Sequence, residues 1–176
     1  MECHRYELFG NRTVHIGFYK NVQNSASLRG AVQTLDVEVA LMNARLIVHA
    51  FQIHTAAARA FLCDQTNKLT TKTLHAELVF NLSGTRNVAE SFRRFGISES
   101  CDQVILCVID ANEATLEAVS QVVQGTLTPL PELGNHLEPS DITLIKKYYK
   151  IQDLELSSSS LLDAITSRIA TKSCAK

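Results

Sequence analysis

Val104 to Ile109 (VILCVI) is the longest strictly apolar run in the chain, six residues long. Crossing a bilayer as a helix takes about 20 such residues, so this run predicts no membrane span. With Gln103 in front of it, the segment reads as a central strand buried on both faces. A strand of that kind needs a sheet around it and further elements packed over it. The chain has 176 residues, 45% apolar and 20% charged. That length buries roughly 70% of the unfolded surface, enough for one domain with its own core, and the composition excludes long disordered, collagen-like or low-complexity stretches.

The rest of the pattern predicts the layers. Thr13 to Lys20 alternates Val14, Ile16 and Phe18 with His15, Gly17 and Tyr19, the period of a half-buried strand, and Tyr6 to Phe9 pairs with it across Gly10-Asn11-Arg12. Ser25 predicts the N-cap of a helix bearing Leu28, Ala31, Val32 and Leu35. Arg45 to His49 reads as a short strand, followed by a helix over 50–65 with Phe51, Ile53, His54, Ala57, Ala58, Phe61 and Leu62 on a broad apolar stripe. Thr71 to Leu82 alternates Leu74, Ala76, Leu78 and Phe80 with Thr73, His75, Glu77 and Val79, which predicts another strand.

Asn87 followed three residues on by Glu90, with Gly96 beyond, predicts a short helix with a capping box and a left-handed glycine stop. Asn112 to Gln124 predicts a helix ended by Gly125, and the three prolines between there and Ser140 mark a long connection holding a helical turn. Ser140 predicts the cap of a helix with Ile142, Ile145 and Tyr149. A Ser-rich linker at 156–160 carries the N-cap of a last helix with Leu161, Leu162, Ile165 and Ile169. The expectation is a single α+β domain over 1–176: a mixed sheet of about five strands flanked by helices, with a helical C-terminus.

Motif chemistry is absent. The five cysteines are widely spaced and form no CxxC pair, so neither a disulfide framework nor a zinc site is indicated. No two of the seven glycines have P-loop or dinucleotide-fold spacing, and there is no GxSxG, HExxH or EF-hand loop. The expectation is therefore no metal, no cofactor and no catalytic residue. Met1 to Glu7 mixes both charges with no apolar segment, so no secretory signal is read, and the expected location is cytoplasm and nucleus.

Net charge is −1, too little for the whole molecule to attract nucleic acid, but it is unevenly spread. Between Arg59 and Arg94, Arg59, Lys68, Lys72, Arg86, Arg93 and Arg94 face only Asp64, Glu77 and Glu90. From Phe95 to Lys150 eight acidic residues face three lysines.

Thr73-Leu74, Glu77 and Val79 to Ser83, followed by Asn87 to Ser98, resemble the small kinase-binding subunit family of the EKC/KEOPS complex (the PRPK-binding protein, TPRKB, family). So do Phe51-Gln52-Ile53, Ile145 to Lys150 and Leu161 to Ile165, and these blocks run in the family's order over nearly the whole chain. The resemblance implies a non-catalytic subunit that binds directly to the complex's small atypical kinase and indirectly to its other subunits, including the threonylcarbamoyl transferase. It also implies a role in holding tRNA, by its 3′ end in family relatives, for threonylcarbamoyladenosine modification beside the anticodon. On this reading Ile145, Tyr149, Leu161, Leu162, Ile165 and Ile169 form the kinase-facing surface, because an apolar terminal helix must dock on its own domain or on a partner. Lys68, Lys72, Arg86 and Arg94 are the tRNA candidates, because binding phosphates requires cations. Arg86 also precedes a helix start, where a phosphate is favoured. Two other readings stay open: a free-standing enzyme built on His75, Glu77 or His54, and a self-associating module that buries its terminal helix in a dimer.

Overall fold

The computed structural model describes residues 1–135 and 137–174. Its centre is the predicted apolar strand, β4 (Gln103–Ile109), lying between β2 (Arg12–Lys20) and β3 (Ala40–Asn43). β2 pairs with β4 from Val14 opposite Ile109 to Lys20 opposite Gln103. Its other edge is shared end to end by β1 (Glu2–Tyr6) and β5 (Thr126–Thr128). The result is the expected five-stranded α+β domain, with every pairing antiparallel rather than mixed.

Successive residues of a strand point to opposite faces, and β4 uses both. Ile105, Cys107 and Ile109 join one core, beneath α2 (Ala50–Gln65), α3 (Leu74–Leu82), α6 (Pro139–Tyr149) and α8 (Leu161–Ala170). Val104, Leu106 and Val108 join a smaller core with Leu28 and Val32 of α1 (Ser25–Gln33) and Val119 of α5 (Glu113–Gln121). Double-faced burial is therefore reached here with antiparallel neighbours, because helices cover the sheet on both sides.

Several local expectations change. Residues 71–82 are not a strand: Thr73 accepts the Ala76 N–H at 3.2 Å and starts α3. Seven of that helix's nine residues are buried, from His75 to Leu82. A helix covered on all sides has no apolar stripe, so its sequence fits a period of two as readily as 3.6. Arg45 to His49 is likewise not a strand. A 3₁₀ turn occupies Ala44–Leu46, and the actual strand, β3, precedes it. Within α2 the buried face is Gln52, Ile53, Ala56, Ala57, Ala60 and Phe61, whereas Phe51 and Leu62 of the expected stripe are about half exposed.

The helix α4 (Val88–Phe95) is capped by Asn87, which accepts the Glu90 N–H, but Glu90's carboxylate goes to Thr85 and Arg94. Gly96 there is extended (φ −70°), not left-handed. Glycine is needed for closeness, since a Cβ would sit 2.5 Å from the Phe92 carbonyl oxygen. Asn24, not Ser25, precedes α1. α6 begins at Pro139, and the Glu138 N–H donates to Asp141, so Ser140 is not its cap. A short helix, α7 (Asp153–Leu156), and the serines that follow lead to Ser160, which caps α8 by accepting the Asp163 N–H, as expected.

Candidate functional site

α2 and α3 pack side by side, and α8 lies against α2, so the turn after α8, residues 171–174, reaches the C-terminal half of α3. Between these elements lies a cavity of about 520 Å³ whose lining includes Arg59, Lys68, Glu77, Asn81, Arg86 and Lys172. Glu77 is fully buried, and one carboxylate oxygen accepts the N–H groups of Thr70 (3.0 Å) and Thr71 (2.8 Å) and the Thr71 hydroxyl (2.8 Å). Its charge thus ties down the loop that presents Lys68. Those three bonds engage it as a structural anchor rather than as a base.

Arg59, Arg86 and Lys172 each donate to backbone or hydroxyl oxygens. Arg59 Nη1 donates to the Ala170 carbonyl at 2.7 Å and to Ser173 Oγ at 3.4 Å. Arg86 Nη2 donates to the Ser173 carbonyl at 3.2 Å. Lys172 is buried, its ammonium 3.3 Å from the centre of the Phe80 ring, and donates to the Phe80 carbonyl and to Ser83 Oγ. Burial pushes the Lys172 amine down to about 7, against a smaller opposing pull from Glu77. Two further buried donors in the lining residues, Arg59 Nε and Asn81 Nδ2, have no hydrogen-bond partner.

Of the four tRNA candidates, Lys68 and Arg86 line this cavity; Lys72 and Arg94 are not part of its lining. Lys72 is exposed just before α3. Arg94 is paired with Glu90 and stacked 4.5 Å over the Tyr148 ring. From its place just before α4, Arg86 directs Nη2 to the Ser173 carbonyl. Lys172 was missing from the candidates because it lies far from the basic stretch in sequence and only packing brings it there. Arg59 belonged to that stretch, but nothing local singled it out.

The expected kinase-facing set is corrected more strongly. Ile145, Tyr149, Ile165 and Ile169 are at most 2% exposed and sit in the chain's own core, so they have no surface to offer a partner. The Tyr149 hydroxyl donates to the Leu82 carbonyl and accepts from Gln52 Nε2 at 2.9 Å, and its ring packs edge-on against Phe95. Leu161 and Leu162 are half-buried and keep some surface.

His75, Glu77 and His54 do not converge. His75 Nε2 accepts the Ile109 N–H at 2.9 Å, and its Nδ1 lies 3.2 Å from Glu38. That arrangement fixes a neutral ring with its proton on Nδ1. His54 Nδ1 lies 2.7 Å from the Tyr6 hydroxyl, and burial with the neighbouring His4 pushes its pKa down to about 4. Among the described residues no group of three or more His, Cys, Asp or Glu side chains is placed to hold a metal ion. No described helix is long and apolar enough to cross a membrane.

Comparison with known proteins matches residues 19–173 to the family described as kinase binding protein CGI-121. A zebrafish (Danio rerio) protein named EKC/KEOPS complex subunit TPRKB is 36% identical over 169 residues, 96% of each chain. The Candida glabrata EKC/KEOPS complex subunit CGI121 is 33% identical over 165 residues, 92% of this chain and 91% of its own. The fission yeast (Schizosaccharomyces pombe) subunit of the same name is 27% identical over 170 residues, 92% and 96% of the two chains. The match takes in the central strand, the cavity walls and the terminal helix together, and the chain belongs to the kinase binding protein CGI-121 family.

Proposed function

We propose that this protein is a non-catalytic subunit of an EKC/KEOPS complex, which binds the complex's small atypical kinase and holds tRNA while another subunit carries out threonylcarbamoyl transfer. The family match across residues 19–173 is the observation that carries this reading. The lack of convergence among His54, His75 and Glu77 supports a binding role over a catalytic one.

With the inner face of α8 committed to the core, the kinase surface falls to apolar side chains that α2 and α8 leave outside: Phe51, Leu161 and Leu162. The tRNA site falls to the cavity, where Lys68, Arg86, Arg59 and Lys172 supply the charge that phosphates require.

Size-exclusion chromatography with light scattering, with and without the cognate kinase, tests the first half. The expected result is a one-to-one complex that is lost in Phe51→Glu or Leu162→Glu. A chain indifferent to the kinase would overturn the reading, and a complex that survives both substitutions would overturn the surface. For the second half, Lys68→Glu and Arg86→Glu are expected to lower tRNA affinity and its salt dependence.

A further inference from the structure

We propose that Ser83, at the end of α3, and Ser91, in α4, are positioning residues for Arg86, which lines the cavity. This inference rests on reading the cavity as a tRNA site and names what sets one of that site's cations in place.

Both serines are wholly buried, at 0% exposure. Arg86 lies in the turn between α3 and α4, and their hydroxyls bracket it. Ser83 Oγ donates to the Thr85 carbonyl at 3.2 Å, and Ser91 Oγ donates to the Asn87 carbonyl at 2.9 Å. The two hydroxyl oxygens are themselves 2.6 Å apart. The Thr85 carbonyl belongs to the peptide unit that enters Arg86, and because that unit is planar, holding its oxygen sets the direction in which Arg86 leaves the backbone.

Two hydroxyls have one proton each, so the surrounding bonds decide where these point. Ser83 Oγ also lies 3.0 Å from the Phe80 carbonyl. That carbonyl already accepts the Ser83 N–H at 3.2 Å and the Lys172 ammonium, which occupy its two lone pairs. Lys172 donates to Ser83 Oγ as well, at 3.2 Å. The Ser83 proton is thereby turned away from α3 toward Thr85 and Ser91, and Ser91 directs its own to Asn87.

A serine pair that merely tied α3 to α4 would lower stability without acting through Arg86, and a double-mutant cycle separates the two roles. tRNA affinity is measured over a salt series on the full chain for the wild type, Ser91→Ala, Arg86→Gln and the double variant, each checked for a cooperative thermal transition. Arg86→Gln is expected to weaken binding several-fold and to lower the log–log salt slope by about one. Ser91→Ala is expected to weaken binding about three- to tenfold in the wild-type background. It should change nothing further in the Arg86→Gln protein, where the guanidinium it places is already gone. Ser91→Cys, which keeps the volume and a weak donor, is expected to recover part of the loss.

Additive losses, or a Ser91→Ala protein that binds as the wild type does while Arg86→Gln is weakened, would overturn the positioning role and leave the tRNA site standing. Loss of the cooperative transition in both Ser91 variants would overturn it too, since the pair would then hold the fold as a whole. Where Arg86→Gln binds tRNA as tightly as the wild type, the cavity reading fails and this inference fails with it.

Discussion

The inner face of α8 and the turn that follows it are separated by only a residue or two, and opposite chemistry holds them in place. Ile165 and Ile169 are fully buried among aliphatic and aromatic neighbours, where removal from water supplies the binding and no directional partner is needed. The turn is attached through polar groups: Arg86 donates to the Ser173 carbonyl, and Lys172 donates to the Phe80 carbonyl and Ser83 Oγ. The first attachment is lost only when the core opens; the second depends on a few directional bonds. Apolar burial therefore fixes the helix to the sheet, whereas directional bonds from a few charged groups place the turn.

Ile165→Asp tests that contrast most severely. Placing a carboxylate at a fully buried apolar position leaves it unpaired, and the expected outcome is loss of the cooperative urea transition. A folded Ile165→Asp protein would mean that α8 is not part of the core. Ile165→Ala is expected to cost about 2–5 kcal/mol, read as a lower urea midpoint.

Glu77→Ala comes next. Losing the acceptor for two loop N–H groups and the Thr71 hydroxyl is expected to cost about 1–3 kcal/mol and to weaken tRNA binding by freeing the loop just after Lys68.

Lys172 gives a pH test with a defined sign. Its amine is shifted from 10.5 down to about 7 in the folded chain, so between those values the unfolded chain holds a proton that the folded chain has released. Stability then rises with pH across that window, the penalty for the buried ammonium being fully present below 7 and gone above 10.5. Urea midpoints at several pH values should show this rise in the wild type and a flatter curve in Lys172→Met. The smallest effect is expected for Lys72→Glu, which lies outside the cavity lining and should lower tRNA affinity less than Arg86→Glu does.

The sheet's centre and the capped helices were legible because their determinants are local. Gln103 to Ile109 is apolar throughout, Asn87 and Asn112 sit at N-caps that accept the N–H three residues on, and Ser160 does the same for α8. Residues 71–82 misled because burial on every side erases the period that separates helix from strand. β3 was missed because four residues, Ala40–Asn43, with alternation only between buried and half-buried positions, make too short a pattern. Of the cavity's cations, Lys68 and Arg86 were singled out from local charge. Lys172 could not be, since its place in the cavity depends on α8 docking against α2.

Taken alone, the amino-acid sequence determined the class of domain, the strand at its centre and the family, because apolar runs, caps and ordered blocks of residues are properties of the chain itself. Whether an apolar helix faces inward or outward, and which cations share a cavity, was decided only by tertiary structure. Side chains at Ile145, Tyr149, Ile165 and Ile169 look the same in sequence whether a partner or the chain's own sheet covers them. The free energy of burial depends on surface removed from water and not on which surface removes it, so only the packed fold could tell the two apart.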